Sequence, residues 1–287
     1  MEIAVISGKG GTGKSCVVAA FASIHKNVVL ADCDVDAANM YLLFNPDIIE
    51  KSSFIGAKKA EIDYSICTNC GLCKDYCRFD AIKSVNGKIE INEIFCDGCQ
   101  LCSRICPEKA ITMLNSEDSQ LLCGNFRYGK MVYGRLAPGE ENSGRLVNLV
   151  REKAKKIAET NKTNIVLIDG PPGIGCPVIS TVTGVDHVII VTEPSLSGIH
   201  DLKRAVELTK SFNLKPWVII NKFDINIENT GKIKDFCKKQ NLSVLAALPF
   251  LEQVVDSMVN CKTIWEWMPE NEFTKKMYSA FNAVINS

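Results

Sequence analysis

Three things are missing from this sequence of 287 residues, and each absence removes a class of function. There is no excess of charge, because 33 Lys and Arg balance 33 Asp and Glu. A neutral chain has no global field to draw nucleic acid or an anionic membrane, so neither is an expected partner. There is no long apolar run. Runs such as those at residues 188–191 and 218–220 fall far short of the roughly 20 residues that cross a bilayer. The opening MEIAVISGKGG reads as a short apolar strand running into a glycine loop. It has neither the basic start nor the long apolar stretch and cleavage site of an export signal, so the protein is expected in the cytoplasm. What remains is a composition ordinary for a globular protein, 46% hydrophobic and 23% charged. The length suits one α/β domain plus a small extra module.

Fourteen cysteines are present, and eight of them fall within one window as Cys67-x2-Cys70-x2-Cys73-x3-Cys77 and Cys96-x2-Cys99-x2-Cys102-x3-Cys106-Pro107. Thiols so dense and regular, in a reducing compartment, point to metal ligation rather than to disulfides. The window is also an internal repeat, with CTNCGLCKDYCRFDAI lining up on CDGCQLCSRICPEKAI. A short repeat of this kind is one supersecondary unit duplicated around a shared core.

Around the repeat, brief β-branched runs at 3–6, 28–31, 165–168, 187–191, 218–220 and 244–246 suit strands buried on both faces of a parallel sheet. Helical patterns at 14–25, 144–160, 197–212 and 231–240 lie between them, and the alternation predicts a doubly wound sheet. Polar stretches near 58–61 and 115–120 mark the edges of the repeat. The expected organisation is therefore a split α/β domain, 1–58 and 118–287, with a small α+β module inserted at 59–117. Residues 121–143, glycine-rich with Arg127, Tyr128, Tyr133 and Arg135, read as a hairpin or loop leading back into the main domain. Phe273, Met277, Phe281 and Val284 form one apolar helix face, expected to pack on the core; a membrane-surface helix is the other reading.

Gly8-Lys9-Gly10-Gly11-Thr12-Gly13-Lys14-Ser15 fits G-x-x-x-x-G-K-[ST] between a predicted strand and a predicted helix, the context a P-loop requires. Glycines let backbone N–H groups turn inward on phosphate, and the helix N-terminus adds positive potential. Lys14 is expected on the β- and γ-phosphates and the Ser15 hydroxyl on Mg²⁺. Asp169 ends a predicted strand and opens Asp-Gly-Pro-Pro-Gly. That is a Walker B carboxylate holding Mg²⁺ through water, followed by a switch loop in which Gly170 and Gly173 can respond to the γ-phosphate. Asp32-Cys33-Asp34-Val35-Asp36 follows the second strand, where a buried carboxylate must be paired or face a site. Asp36 is expected to cap the next helix.

GKGGTGKS, with its early Lys9, resembles the deviant Walker A loop of the MinD/ParA/Mrp and nitrogenase iron-protein group. The resemblance implies an ATPase that works as a dimer, homodimeric or paired with a similar ATPase, with Lys9 reaching the partner's phosphates. It implies Asp34 on the attacking water and Asp32 near the Mg²⁺ shell. Asn221-Lys222-Phe223-Asp224 looks like a guanine reader, yet in this group a similar Asn serves ATP, so Asn221 is expected on the adenine amino group. The Leu248-Pro249-Phe250 turn is expected to wall the base. The stretch 139–144 is similar to members of this superfamily that carry a ferredoxin insert.

The cysteine runs resemble the bacterial two-cluster ferredoxin pattern, in which the fourth Cys of each run ligates the other cluster. That implies Cys67, Cys70, Cys73 and Cys106 on one [4Fe–4S] cluster, and Cys96, Cys99, Cys102 and Cys77 on the second. Arg78 departs from the usual Pro after Cys77. Structural zinc is the alternative for any four-cysteine set. Cys16, Cys33, Cys237 and Cys261 read as small packing residues, and the sequence assigns Cys123 no role. Cys176, seven residues past Asp169, is placed like the cluster-bridging cysteine of the nitrogenase iron protein and is a candidate for a further metal or relay position. The expected function is an Mg-ATP-dependent ATPase coupled to iron–sulfur clusters, serving assembly or transfer of a metal cofactor to a client metalloprotein. ATP-gated electron transfer to a redox partner is the alternative, and a spatial organiser of the MinD/ParA kind fits less well.

Overall fold

A strand that is apolar at every position has to be covered on both faces, and the first residues of the chain show how this one is. The computed structural model describes residues 1–56, 58–93, 95–115, 118–138, 140 and 143–287. In chain order the elements begin β1 (Glu2–Ser7), α1 (Lys14–His25), β2 (Val28–Asp32), α2 (Met40–Phe44) and β3 (Asp47–Phe54). Next come β4 (Lys58–Ile62), α3 (Leu72–Asp75), β5 (Ile82–Val85), β6 (Lys88–Ile91), α4 (Leu101–Ile105) and β7 (Ile111–Asn115). The chain returns through β8 (Ser119–Phe126), β9 (Gly129–Arg135), α5 (Ser143–Asn161), β10 (Val166–Pro172), α6 (Cys176–Val182) and β11 (His187–Thr192). It continues with α7 (Leu196–Ser211), β12 (Trp217–Asn221), α8 (Ile227–Lys239) and β13 (Val244–Leu248). Last are α9 (Glu252–Val259), α10 (Ile264–Trp267) and α11 (Glu272–Ile285).

Among the described residues, nine strands form one sheet in the order β13-β12-β11-β1-β10-β2-β9-β8-β3. From β13 to β9 every neighbour is parallel; β8 and β3 then add antiparallel strands at the edge. The pleat divides the core by parity. Ile3, Val5, Val28, Leu30 and Leu167 face one layer, with α1 and with Phe273, Met277, Phe281 and Val284 of α11. Ala4, Ile6, Val29, Ala31, Val166 and Ile168 face the other, with Leu146, Val147 and Val150 of α5 and with α7 and α8. The C-terminal apolar face is thus core, and no helix among the described residues is long and apolar enough to cross a membrane.

The expected hairpin within 121–143 is β8–β9, and it is part of the main sheet, since β9 pairs parallel with β2. Strand β3 has no counterpart among the expected strands, because DIIEKSSF is exposed at all but its last position and carries no alternation. Helix α8 begins four residues ahead of the expected start. The Asn226 side chain accepts the Asn229 N–H and caps it there, leaving Gly231 inside the helix. Asp36 caps nothing: it sits in a turn closed by the Ala37 N–H on the Asp34 carbonyl. The donors at the start of α2 go to Asp32 instead, whose Oδ2 accepts from Asn39 N–H (3.3 Å) and Met40 N–H (3.2 Å). A fully buried carboxylate needs donors more than an exposed one does.

Away from the main sheet, β4 pairs with β7 and β5 with β6, around a small core of Ala60, Ile62, Ile82, Ile89 and Ile111.

The β8–β9 hairpin is tied to the C-terminal helices through one carboxylate. Glu266 accepts from Arg127 Nε (2.7 Å), Arg127 Nη2 (3.0 Å), the Tyr128 hydroxyl (2.5 Å) and Thr263 N–H (2.6 Å). Burial alone would raise its pKa, but these donors outweigh it and hold Glu266 down at about 2. A depressed carboxylate stabilises the fold above its unfolded pKa, near 4.5, and that contribution disappears as pH falls towards about 2. Replacing Glu266 with Gln is expected to cost about 1–2 kcal/mol in urea unfolding at pH 7, with the difference from wild type shrinking below pH 4. An unchanged midpoint at pH 7 would remove the network from the account.

Candidate functional site

In a parallel sheet the strand ends on one side all open into the same crevice, and β1, with β10 and β11 on either flank, sits at its centre. The loop after β1 runs from Gly8 to Gly13 and opens α1 at Lys14. Gly13 has φ +88°, and a Cβ there would overlap Asn221 Nδ2, so the position needs glycine on two counts. The residues expected from sequence converge here. Lys14 Nζ bonds Asp169 Oδ1 at 2.6 Å, and Ser15 Oγ donates to Asp169 Oδ2 at 2.8 Å. Asp34 Oδ2 lies 3.9 Å from the same ammonium. Gly10, Gly11, Thr12, Gly13, Lys14, Ser15, Asp34 and Asn39 line one recess, closed on the far side by Pro172.

Lys14 and Asp169 are both almost completely buried. Burial would pull the Lys14 pKa down, but Asp169, Asp34 and Asp32 outweigh it and raise it, so the ammonium stays charged. Burial, with the charge of Asp169 beside it, pushes Asp32 up to about 8. Burial likewise raises Asp34, against the opposing pull of Lys14. Three acids therefore share one cation. Asp32 is set back from the recess, its oxygens occupied by the N–H groups of Asp34, Asn39 and Met40.

Lys9 folds back on its own chain. Its Nζ bonds Glu193 Oε1 at 2.6 Å and the Ser195 and Ser197 hydroxyls at 3.0 Å each. Lys222 Nζ takes the other oxygen of Glu193 at 3.1 Å and the Gly11 carbonyl at 2.9 Å. Glu193 thus anchors the glycine loop from two directions. No sequence motif marks it; it directly follows the last residue of β11.

Beside the phosphate recess lies an apolar hollow lined by Gly11, Gly13, Cys16, Val17, Asn221, Lys222, Pro249, Phe250, Leu251 and residues of α9 and α11. Asn221 bonds the Thr12 carbonyl through Nδ2 (2.9 Å) and accepts the Lys222 N–H (3.0 Å). Asp224 accepts the Phe250 N–H at 2.8 Å, which pins the 248–250 turn against the hollow.

The eight regularly spaced cysteines surround two further hollows. One is lined by Cys67, Cys70, Cys73 and Cys106; the other by Cys77, Cys96, Cys99 and Cys102, with Cys73 on the wall between them. All fourteen cysteines are free thiols. Among the described residues no three His, Cys, Asp or Glu side chains converge tightly enough to hold a single metal ion. Six of the eight sulfur-bearing residues pack on the small core around Ile62 and Ile111, while Cys70 and Cys99 are exposed. Cys33, Cys123 and Cys237 are buried packing residues, Cys16 is half-buried, and Cys261 is exposed rather than packed. Cys176 is exposed as the first residue of α6. Of the stretch 139–144, residues 139, 141 and 142 lie outside the described residues; Glu140 is buried and bonds the Ser119 hydroxyl at 2.9 Å.

A glycine loop joining a central parallel strand to a helix, facing a strand-end carboxylate that engages both its Lys and its Ser, defines a P-loop nucleotide-binding protein. A family model described as the CobQ/CobB/MinD/ParA nucleotide binding domain matches residues 3–264, and the chain belongs to that family. An uncharacterised protein of Methanocaldococcus jannaschii is 39% identical over 229 residues, 79% of each chain. An uncharacterised ATP-binding protein of the same organism is 25% identical over 179 residues, 60% of this chain and 68% of that one. Among solved structures, the septum site-determining protein MinD of Pyrococcus horikoshii, complexed with Mg-ADP, superposes with a TM-score of 0.59. It covers 99% of this chain and 95% of that one at 18% identity, a likeness of fold.

Removing the buried cation of the recess should be costly even without nucleotide. Lys14→Met leaves Asp169, Asp34 and Asp32 facing one another, and a loss of about 3 kcal/mol in nucleotide-free urea unfolding is expected. Stability equal to wild type would show that the acids do not depend on Lys14.

Proposed function

We propose that this protein is an Mg-ATP-dependent ATPase coupled to two [4Fe–4S] clusters, held in a ferredoxin-type module at residues 59–117 inserted into an ATPase domain of 1–58 and 118–287. The observation that carries the coupling is the composition of the two cysteine rings. Each ring has three cysteines of one run plus the fourth of the other, the crossed ligand set of two-cluster ferredoxins. Four thiols around each hollow, taken from both runs, favour a cubane over zinc, which needs no such crossing. When bound, such clusters would supply one-electron chemistry; the chain's part is to fix eight thiolates on an apolar core.

At the nucleotide site, Asp169 now occupies both groups that phosphate and Mg²⁺ require. Bound Mg²⁺ would neutralise charge on the β- and γ-phosphates, held by Ser15 directly and by Asp169 through water. Lys14 would leave Asp169 for the phosphates, and the freed carboxylate would carry with it the end of β10 and the 173–175 turn before α6. Asp34, beside Lys14 and half-buried, is placed to orient the attacking water. Lys9 would have to leave Glu193, Ser195 and Ser197 to reach a partner subunit's phosphates. The base is read as adenine at Asn221 and Pro249, supported by Asp224, whose carboxylate is already engaged by a backbone amide. The ATP-binding relative points the same way.

Of the two roles open to such a protein, the geometry favours ATP-gated electron transfer to a redox partner over delivery of a cluster to a client. Six of the eight cysteines are built into the small core, so giving a cluster away would dismantle the module. In this role an electron from a low-potential one-electron donor reduces a cluster and then passes to the partner's metal centre. Cys176, exposed at the start of α6, is the candidate for a further metal or relay position where two copies meet. Work in the cytoplasm would keep the thiols reduced.

Anaerobic purification should yield about eight iron and eight sulfide per chain, the content of two cubanes. Cys70→Ala and Cys99→Ala should each lower both counts by about half. Zinc in place of iron and sulfide would overturn the reading. Lys9→Ala should keep nucleotide affinity and lose hydrolysis; hydrolysis at the wild-type rate would remove the intersubunit role.

A further inference from the structure

The two cysteine rings stand at different heights on a β-ribbon, and their order can be read from strand register. The antiparallel ladder of β3 with β8 ends at Phe54 opposite Ser119. The ladder of β4 with β7 starts at Lys58 opposite Asn115, four residues on along one strand and four back along the other, so the register is unchanged. The β4–β7 ladder, a separate two-stranded sheet in the register of β3–β8, is the stalk of the small module. Along this stalk, Ala60 opposite Met113 walls the ring of Cys77, Cys96, Cys99 and Cys102. Ile62 opposite Ile111 walls the ring of Cys67, Cys70, Cys73 and Cys106. Both pairs lie on one face, two residues apart, as the pleat dictates. The loop between Cys96 and Cys99 reaches lower still: Gly98, at φ +68°, lies so close to the Lys58 carbonyl that a Cβ would overlap it. One ring is therefore at the root of the stalk and the other at its tip.

The root is gripped by the ATPase core. Ser119, wholly buried, donates its hydroxyl to Glu140 Oε2 (2.9 Å) and accepts the Ala137 N–H (2.9 Å). Arg145, in the first turn of α5, lies 5.7 Å over the ring of its ladder partner Phe54. That same turn packs on α6: a Cβ on Gly144 would stand 3.3 Å from Ser180 Oγ and 3.5 Å from the Cys176 carbonyl. Further along α5, Arg151 Nη1 bonds the carbonyls of Ser180 (2.6 Å) and Thr183 (2.8 Å) at the end of α6. Three residues, 173–175, separate α6 from β10, the strand that carries Asp169; the expected switch segment is therefore strand as far as Pro172.

We propose that the two rings are functionally unequal: the root ring is coupled to the nucleotide site through Ser119, Phe54, α5 and α6, and the tip ring is not. The inference rests on the iron–sulfur reading above. When Asp169 exchanges Lys14 for Mg-nucleotide, movement of the end of β10 and the 173–175 turn displaces α6, and α5 passes the displacement to the root of the stalk. The Gly98 loop lies on the Lys58 carbonyl, so the root ring feels the change at its own backbone. The tip ring lies beyond Ala60 and Met113 and is shielded from it.

The test is electron paramagnetic resonance of the full-length protein, anaerobic and reduced with dithionite, with and without Mg-ADP. Cys99→Ser and Cys70→Ser assign the root and tip signals. Mg-ADP should shift the root-ring signal and leave the tip-ring signal in place. Ser119→Ala should abolish the shift with iron content and Mg-ADP affinity unchanged, and Arg145→Gln, which leaves no buried group unpaired, should do the same. A shift in the tip ring, no shift in either ring, or a shift that survives both substitutions would overturn the proposal while leaving the clusters themselves in place. Protein that lacks iron and sulfide altogether would instead sink the iron–sulfur reading beneath it.

Discussion

One buried ion pair organises the nucleotide half of this molecule. Lys14 and Asp169 meet at 2.6 Å in the middle of the sheet, and Ser15 closes on the second carboxylate oxygen at 2.8 Å. Two charges taken out of water are tolerable only when each satisfies the other. Here the pair does more, because the same ammonium also holds Asp34 and Asp32 in acceptable company. The price of that arrangement is that the phosphate-binding groups are occupied by protein. A ligand that supplies phosphate and a divalent cation must release Asp169, which lies on β10 six residues from the end of its turn into α6. On the reading proposed above, the electrostatics of that one carboxylate would link nucleotide binding to movement of α6.

The other organising constraint is sulfur geometry. Eight thiols on two short helical turns and their loops can be held close together only because β4–β7 and β5–β6 provide an apolar floor of isoleucines beneath them. The β4–β7 ladder of that floor keeps the register of the β3–β8 ladder at the edge of the main sheet. Glu193 adds a third element. By holding both Lys9 and Lys222, it keeps the glycine loop in a single-chain arrangement that a dimer would have to open.

Much of this is legible in the residues themselves. The parallel strands announce themselves as runs of Val and Ile because both faces are buried, and α1 begins where Gly13 must adopt a left-handed backbone before Lys14. The convergence of Lys14, Ser15, Asp34 and Asp169 follows from strand order, because the segments after β1 and β2 emerge on either side of β10, which carries Asp169. What residue types do not reveal is whatever depends on tertiary partners. β3 is polar and exposed, so its strand character comes from β8. Asp32 rather than Asp36 serves α2 because it is the buried carboxylate that needs donors. Glu193 lies in no motif, and its importance comes from two lysines distant in sequence. The register that joins the stalk to the sheet is set by pairing between distant strands, and no local pattern encodes it.

The central claim is that the nucleotide site and the cysteine rings work as one device. It is tested most directly by the rate of ATP hydrolysis by the anaerobically purified protein, measured with its clusters oxidised and again with them reduced. The account predicts that the rate depends on cluster oxidation state, because the root ring and Asp169 are joined through Ser119, α5 and α6. Equal rates in the two states, with both clusters present, would contradict it.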